Sequence, residues 1–254
     1  MKIGFFDSGV GGLTVLHRAL REMPYADFIY FADIENVPYG EKSKQEVHEL
    51  VFAAIDYLVK QKVDAIVIAC NTATSVAIHE LRATYSLPVL GMEPAIKPAV
   101  DHCRTTNRKV LVLATSLTLR AEKFHELVQK LDAFDMVDTI PLPGLVQLAE
   151  QSDFSSPEVM KYLTKQFQNI DFSPYGAVVL GCTHFPFYLE YIKSFFPPDT
   201  QYFDGGIGTV NHLKQLLEHK QPSSPKQGTT KFVITGGKPG EKKLFERVLA
   251  VLDS

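Results

Sequence analysis

Short apolar runs alternate with longer amphipathic stretches along the whole chain. Ile3 to Phe6 is apolar and is stopped by Asp7-Ser8. The turn Gly9-Val10-Gly11-Gly12 leads into Leu13 to Arg21, where Val15, Leu16, Ala19 and Leu20 fall at helical spacing. Phe28 to Phe31 repeats the apolar run, ends at Ala32-Asp33, and a helix is predicted from about Ser43 to Lys60. Val63 to Ala69 follows, closed by Cys70 and a helix from Val76 to Arg82, and then a short strand, Val89-Leu90. Runs apolar on both sides suit strands buried on both faces, so this order predicts a mostly parallel sheet with right-handed crossovers.

The pattern then restarts. Lys109 to Ala114 is a strand stopped by Thr115-Ser116, and a helix is predicted from about Leu119 to Leu131. Val137 to Ile140 is a weak strand, Pro141 to Gly144 breaks the chain, and Glu150 ends a short apolar turn. Ser155 with Glu158 resembles a capping box, with Pro157 in the first turn of a helix from Val159 to Phe167. Tyr175 to Gly181 is the next strand, closed by Cys182. Tyr202 to Gly206 ends this unit; Val210 to Leu217 is helical; Gln221 to Thr230 reads as a linker. Phe232 to Thr235 and Lys242 to Leu252 read as a last strand and helix. The interval from Ser8 to Cys70 nearly equals that from Ser116 to Cys182. Two similar α/β units are therefore expected, each crowned by a cysteine at a strand's carboxyl end, where open α/β sheets bind ligands.

Composition narrows the class. The 254 residues are 45% hydrophobic and 22% charged, as in ordinary globular proteins, and the net charge of −3 carries no basic block. Nucleic acid is not an expected partner. Three cysteines without a C-x-x-C pair argue against a disulfide framework and suit a reducing compartment. The apolar run at the N-terminus is too short for a signal peptide, and no window approaches the ~18 apolar residues of a membrane helix. A cytoplasmic protein is expected.

Several polar positions invite chemistry. The glycines after Asp7 suggest a dinucleotide fingerprint, but Thr14 stands where its third glycine is needed. They read instead as residues that let the backbone turn with φ > 0. Asp7 reads either as a helix cap or as a functional carboxylate. Gly237-Lys238 makes no phosphate loop, because Pro239 stands where Ser or Thr is required. Three readings of the cysteines stay open. Both are small buried hydrophobes; or Cys182 and His184, joined by His102 or Cys103, bind a metal; or the two thiols face one cleft and exchange protons with a carbon held between them. A free thiol has a pKa near ~8.5, so the third reading gives each a proton acceptor: Asp7 for Cys70, His184 for Cys182.

Five motifs together carry a resemblance. Asp7-Ser8-Gly9-Val10-Gly11-Gly12, Val37-Pro38-Tyr39-Gly40, Ala69-Cys70-Asn71-Thr72-Ala73-Thr74, Gly91-Met92-Glu93-Pro94 and Leu180-Gly181-Cys182-Thr183-His184-Phe185-Pro186 resemble the glutamate racemases of the aspartate/glutamate racemase superfamily. The resemblance spans nearly the whole chain. It implies an α/β fold of two similar domains, each a mostly parallel sheet flanked by helices, with the active site in the cleft between them. Residues 1–97 plus 208–254 would form the first domain and 98–207 the second. It implies interconversion of L- and D-glutamate without a cofactor or metal, D-glutamate for peptidoglycan, and a homodimer. The catalytic pair would be Cys70 and Cys182, assisted by Asp7, His184 and Glu150. Asp7-Ser8, Pro38-Tyr39-Gly40, Asn71-Thr72, Thr115, Thr118 and Thr183-His184 would contact substrate. Ala121 stands where the family often has Ser after Thr115 and Thr118; the stretch before Glu150 lacks a usual second Pro; and Thr235-Gly236-Gly237 has Gly where Asp is common. Two rivals stay beside this reading: a sister enzyme acting on aspartate or a related acid, and a two-lobed solute-binding module.

Overall fold

The computed structural model describes residues 1–220, 226–237 and 241–252. Part of the expected linker (221–225), together with Lys238 and Pro239, lies outside the described residues. In chain order the elements are β1 (Lys2–Asp7), α1 (Leu13–Glu22), β2 (Asp27–Ala32), α2 (Lys44–Lys60), β3 (Ala65–Ile68), α3 (Asn71–Thr84), β4 (Val89–Gly91) and α4 (Ile96–Thr106). The second series is β5 (Lys109–Ala114), α5 (Ser116–Arg120), α6 (Glu122–Lys130), β6 (Val137–Pro141), α7 (Pro143–Glu150), α8 (Pro157–Phe167), β7 (Tyr175–Gly181), α9 (Leu189–Lys193) and β8 (Gln201–Asp204). The chain closes with α10 (Gly205–Leu216), β9 (Thr230–Ile234) and α11 (Glu241–Leu252).

The strands form two sheets, ordered β4-β3-β1-β2-β9 and β6-β5-β7-β8, and every pairing is parallel. The two orders superimpose conceptually. β1 and β5 are central, β3 and β7 flank them on one side, and β2 and β6 on the other. β9 is the added strand, paired with β2. The central strands are buried on both faces, with Ile3, Phe5, Phe6, Ala65 to Ile68, Val110 to Ala114 and Ala177 to Leu180 in the core. That explains why they read as unbroken apolar runs rather than alternating ones. Helix α10, which follows the second sheet's last strand, packs on α1 of the first.

Local differences from the sequence reading have physical causes. Helix α3 starts at Asn71 rather than Val76, because the Cys70 sulfur accepts the Ala73 N–H at 3.4 Å and caps it. Helix α4 is not among the elements expected from the pattern. Its Pro98 sits in the first turn, where a missing N–H leaves no bond unmade. The single helix expected over 119–131 is two, broken at Ala121, whose backbone is extended (φ −67°, ψ 138°). Glu150 is the last residue of α7, begun by Pro143, rather than the end of a turn. The segment at 202–206, expected only to end the second unit, carries that sheet's last strand: β8 pairs with β7, and Asp204 caps α10, its side chain accepting the Gly206 N–H. The cap of α8 is Ser156, not Ser155; Ser156 accepts the Glu158 N–H at 3.2 Å, so no Ser155–Glu158 box forms.

Candidate active site

The site is assembled from strand ends. Asp7 terminates β1, and Ser8 follows it; Cys70 lies just beyond β3. In the second sheet Thr115 lies just beyond β5 and Cys182 just beyond β7. The two rows meet. Ser8, Tyr39, Gly40, Cys70, Asn71 and Thr72 form one wall of a narrow cavity, and Thr115, Val146, Cys182, Thr183 and His184 the other. Its volume is about 10 Å³, roughly what one water molecule needs. A larger cavity of about 570 Å³, between Gly91 and α10, contains neither thiol. Both thiols therefore line the smaller space, with the halves closed upon it.

Cys70 and Cys182 have different surroundings. The Cys70 sulfur caps α3 and lies 3.7 Å from the Ser8 hydroxyl. Burial pushes the Cys70 thiol up to about 12, and the Asp7 carboxylate pushes the same way; the Ala73 N–H opposes them. Cys70 therefore rests as a thiol in this closed arrangement. Asp7 is fully buried. Its Oδ1 accepts the Gly9 N–H at 2.9 Å and its Oδ2 accepts the Thr183 hydroxyl at 3.2 Å, which ties the first sheet to the second. Burial raises the Asp7 pKa to about 6, with His184 pulling it down. That places it where a carboxylate exchanges protons near neutrality.

Across the cavity, the Cys182 sulfur lies 3.5 Å from His184 Nδ1, and His184 Nε2 lies 2.6 Å from Glu150 Oε1. Burial alone would lower the His184 pKa. Hydrogen bonds and charges from Cys182 and Glu150 outweigh it and hold His184 well above its usual value. The imidazole is thus a buried cation paired with Glu150, which also accepts the Val10 N–H at 2.9 Å. Each sulfur has one acidic support behind it: Asp7 on one side, the His184–Glu150 pair on the other.

Three threonines bridge the halves. Thr72 Oγ1 lies 2.9 Å from Thr115 Oγ1 and 3.2 Å from Thr118 Oγ1, and the latter two are 2.9 Å apart. Asn71 donates Nδ2 to the Met92 carbonyl at 3.2 Å, and its Oδ1 is buried with no hydrogen-bond partner. Of the residues singled out from the sequence, Asp7, Glu150 and Thr118 stand one layer behind the cavity wall. Pro38 precedes the 3-10 turn Tyr39–Glu41 through a cis Val37–Pro38 bond and does not reach the wall. The metal set does not come together: Cys103 donates to the Lys109 carbonyl at 3.3 Å, and His102 lies against Phe203.

The glycine turn has a different purpose from the one expected. Among the described residues only Gly236 is a glycine with positive φ. A methyl group at Gly9 would collide with the Glu150 carboxylate, at Gly11 with Thr183 and His184, and at Gly12 with Asp7. Gly9 and Gly11 let the second sheet's candidate residues press against the β1–α1 turn, and Gly12 leaves room for Asp7 itself. Asp7 does not cap α1, which has no side-chain cap.

The sequence profile of the Asp/Glu/Hydantoin racemase family matches residues 8–212, a span that holds every strand-end group described above except Asp7, which immediately precedes it. The chain belongs to this family. Among curated relatives, this racemase is 45% identical over 256 residues to glutamate racemase 2 of Bacillus subtilis, covering 100% of this chain and 97% of that one. It is 46% identical over 245 residues to the glutamate racemase of Halothermothrix orenii, covering 96% of each. Among solved structures, Escherichia coli glutamate racemase, in complex with L-glutamate and the activator UDP-MurNAc-Ala, matches with a TM-score of 0.84 at 31% identity, over 97% of this chain and 93% of that chain. Campylobacter jejuni glutamate racemase matches with a TM-score of 0.81 at 28% identity, over 99% of each. The racemase thus shares the two-domain α/β fold of these enzymes. Among its described residues, no helix is long and apolar enough to cross a membrane.

Proposed function

We propose that this racemase interconverts L- and D-glutamate by proton exchange between the α-carbon and two thiols, Cys70 and Cys182. One thiolate takes the Cα proton, leaving a planar carbanion; the opposite thiol gives its own proton to the other face. Configuration inverts, and the two sulfurs have exchanged protonation states. Asp7 takes a proton from, or returns it to, the Cys70 side. The His184–Glu150 pair does so for Cys182. The observation that carries this reading is that both sulfurs line one cavity and each is backed by its own titratable group. A positioned acid or base contributes about 10²–10⁴-fold in rate.

Substrate fit supports glutamate. The unpartnered Asn71 Oδ1 is an acceptor for the substrate ammonium. Backbone N–H groups opening α3, with the Ser8, Thr72, Thr115 and Thr183 hydroxyls, offer donors for two carboxylates. The relatives' names point to the same substrate. The closed cavity is too small for an amino acid, so the walls part for entry. The residue division 1–97 plus 208–254 and 98–207 gives the two bodies that move. We place the enzyme in the cytoplasm as a homodimer without a cofactor, supplying D-glutamate for peptidoglycan.

The test is L-glutamate with purified protein in D₂O and no added cofactor, followed by polarimetry and mass spectrometry. D-Glutamate bearing solvent deuterium at Cα is the expected product. Cys70→Ala and Cys182→Ala should each abolish turnover while keeping the native circular dichroism. Racemisation without label, or full turnover by either variant, overturns the mechanism; preference for aspartate over glutamate overturns the substrate.

A further inference from the structure

We propose that Asp33 is a positioning residue that holds the Tyr39-Gly40 turn in the cavity wall and couples it to the C-terminal strand. This rests on the functional reading above for the meaning of that wall. Asp33 follows the end of β2, beside Asp7 at the end of β1; its N–H bonds the Asp7 carbonyl at 3.1 Å. It is a buried carboxylate, only 3% exposed, and no chemical step above uses it. Its Oδ2 accepts the Tyr39 hydroxyl at 2.6 Å. Its Oδ1 accepts the Thr235 hydroxyl at 2.6 Å and the Asn36 amide at 3.0 Å. Thr235, just past β9, in turn accepts the Glu35 N–H at 3.2 Å.

The geometry assigns direction to this cluster. Tyr39 is fully buried, its ring packed beside Phe6, and its hydroxyl is turned to Asp33. The next residue, Gly40, is pressed so closely on Thr115 of the other sheet that a side chain there would meet the threonine Cβ. A turn squeezed between sheets needs an anchor on its own side, and charge-assisted hydrogen bonds are the strong kind. Asp33 supplies that anchor from a strand end. Thr235 extends it to a segment 202 residues away in sequence. The C-terminal strand is thereby made part of the substrate wall without touching the cavity.

Asp33→Asn keeps the volume but replaces one acceptor oxygen with a donor, so Tyr39 or Thr235 loses its partner. Because the turn contacts bound substrate throughout the reaction, the loss should appear in KM rather than kcat. A KM for glutamate raised about tenfold, with kcat changed less than about threefold, is expected from one lost charged hydrogen bond. Tyr39→Phe should act alike, and the double variant should be no worse than Asp33→Asn alone, as partners in one interaction behave. Thr235→Val, which leaves the Tyr39 bond in place, should shift KM less. Hydrogen exchange reads the anchor independently of activity. The Glu41 and Lys42 amides, bonded to the Pro38 and Tyr39 carbonyls, should exchange faster in Asp33→Asn while α2 is unchanged. Unaltered exchange at Glu41 and Lys42, equal loosening of α2, or a lowered Tm with KM unchanged would overturn the proposal. Wild-type protein inert toward glutamate would instead overturn the functional reading, and the exchange result would still decide the role of Asp33.

Discussion

Asp7→Asn should make the protein more stable and nearly inactive, and the gain should depend on pH in a set way. The native carboxyl is buried and its pKa is raised from 3.8 to about 6. In the unfolded chain it returns to the ordinary value. A raised carboxyl pKa means that folding favours the protonated form. Asp7's contribution to stability is therefore fully present below about pH 3.8 and is lost as pH rises through about 6. The shift of about two units corresponds to roughly 3 kcal/mol, and about half of the loss falls between pH 5 and pH 8. Asparagine has no charge to desolvate. Its Oδ1 can still accept the Gly9 N–H, and the rearranged Thr183 contact costs about 1 kcal/mol. A net gain of about 1–3 kcal/mol is expected at pH 8, shrinking towards pH 5. Urea denaturation at those two pH values measures it, and turnover should fall about 10²-fold or more. A variant less stable than wild type at pH 8, or a difference independent of pH, would refute the reasoning that burial of an ionised Asp7 destabilises the fold.

Other expectations follow from neighbouring features. Glu150→Gln removes one of the partners that hold the His184 pKa high, so His184 should lose its proton at lower pH. The alkaline fall in both Tm and turnover should move to lower pH than in wild type, as pH scans of each would reveal. Stability at neutral pH should also drop by a few kcal/mol, about what breaking a buried pair costs. Gly11→Ala should fold yet lose most activity, because its methyl collides with Thr183 and His184; kcat is the measurement. Gly208→Ala is the contrast: nothing lies within 4 Å of a methyl there. On helix α10 it should stabilise by about 0.5–1 kcal/mol, read as a raised Tm with kcat unchanged.

The duplicated fold was legible because strands buried on both faces announce themselves as apolar runs, and the residue after each run is a candidate for the site. Cys70 and Cys182 stand out in this way. Helix starts were less legible. A cysteine sulfur is an unusual cap, so α3 looked shorter than it is, and Pro98 hid α4 although a first-turn proline does no harm there. The glycine turn was misread because space needed by a side chain far along the chain leaves no mark on the local pattern. Glu150 meeting Gly9 is a tertiary fact. Asp33 carries no local signal of its role for the same reason. It follows an apolar run just as Asp7 does, but its partners Tyr39 and Thr235 lie on separate segments.

The two sulfurs stand in near-symmetric places but lean on unlike helpers, a carboxyl on one side and an imidazolium–carboxylate pair on the other. Mirror-image molecules have equal free energies, so for a racemase the ratio kcat/KM must be identical for both enantiomers, however lopsided the protein is. Such lopsidedness can surface only as a trade between the factors: whichever hand is held more tightly must also be turned over more slowly.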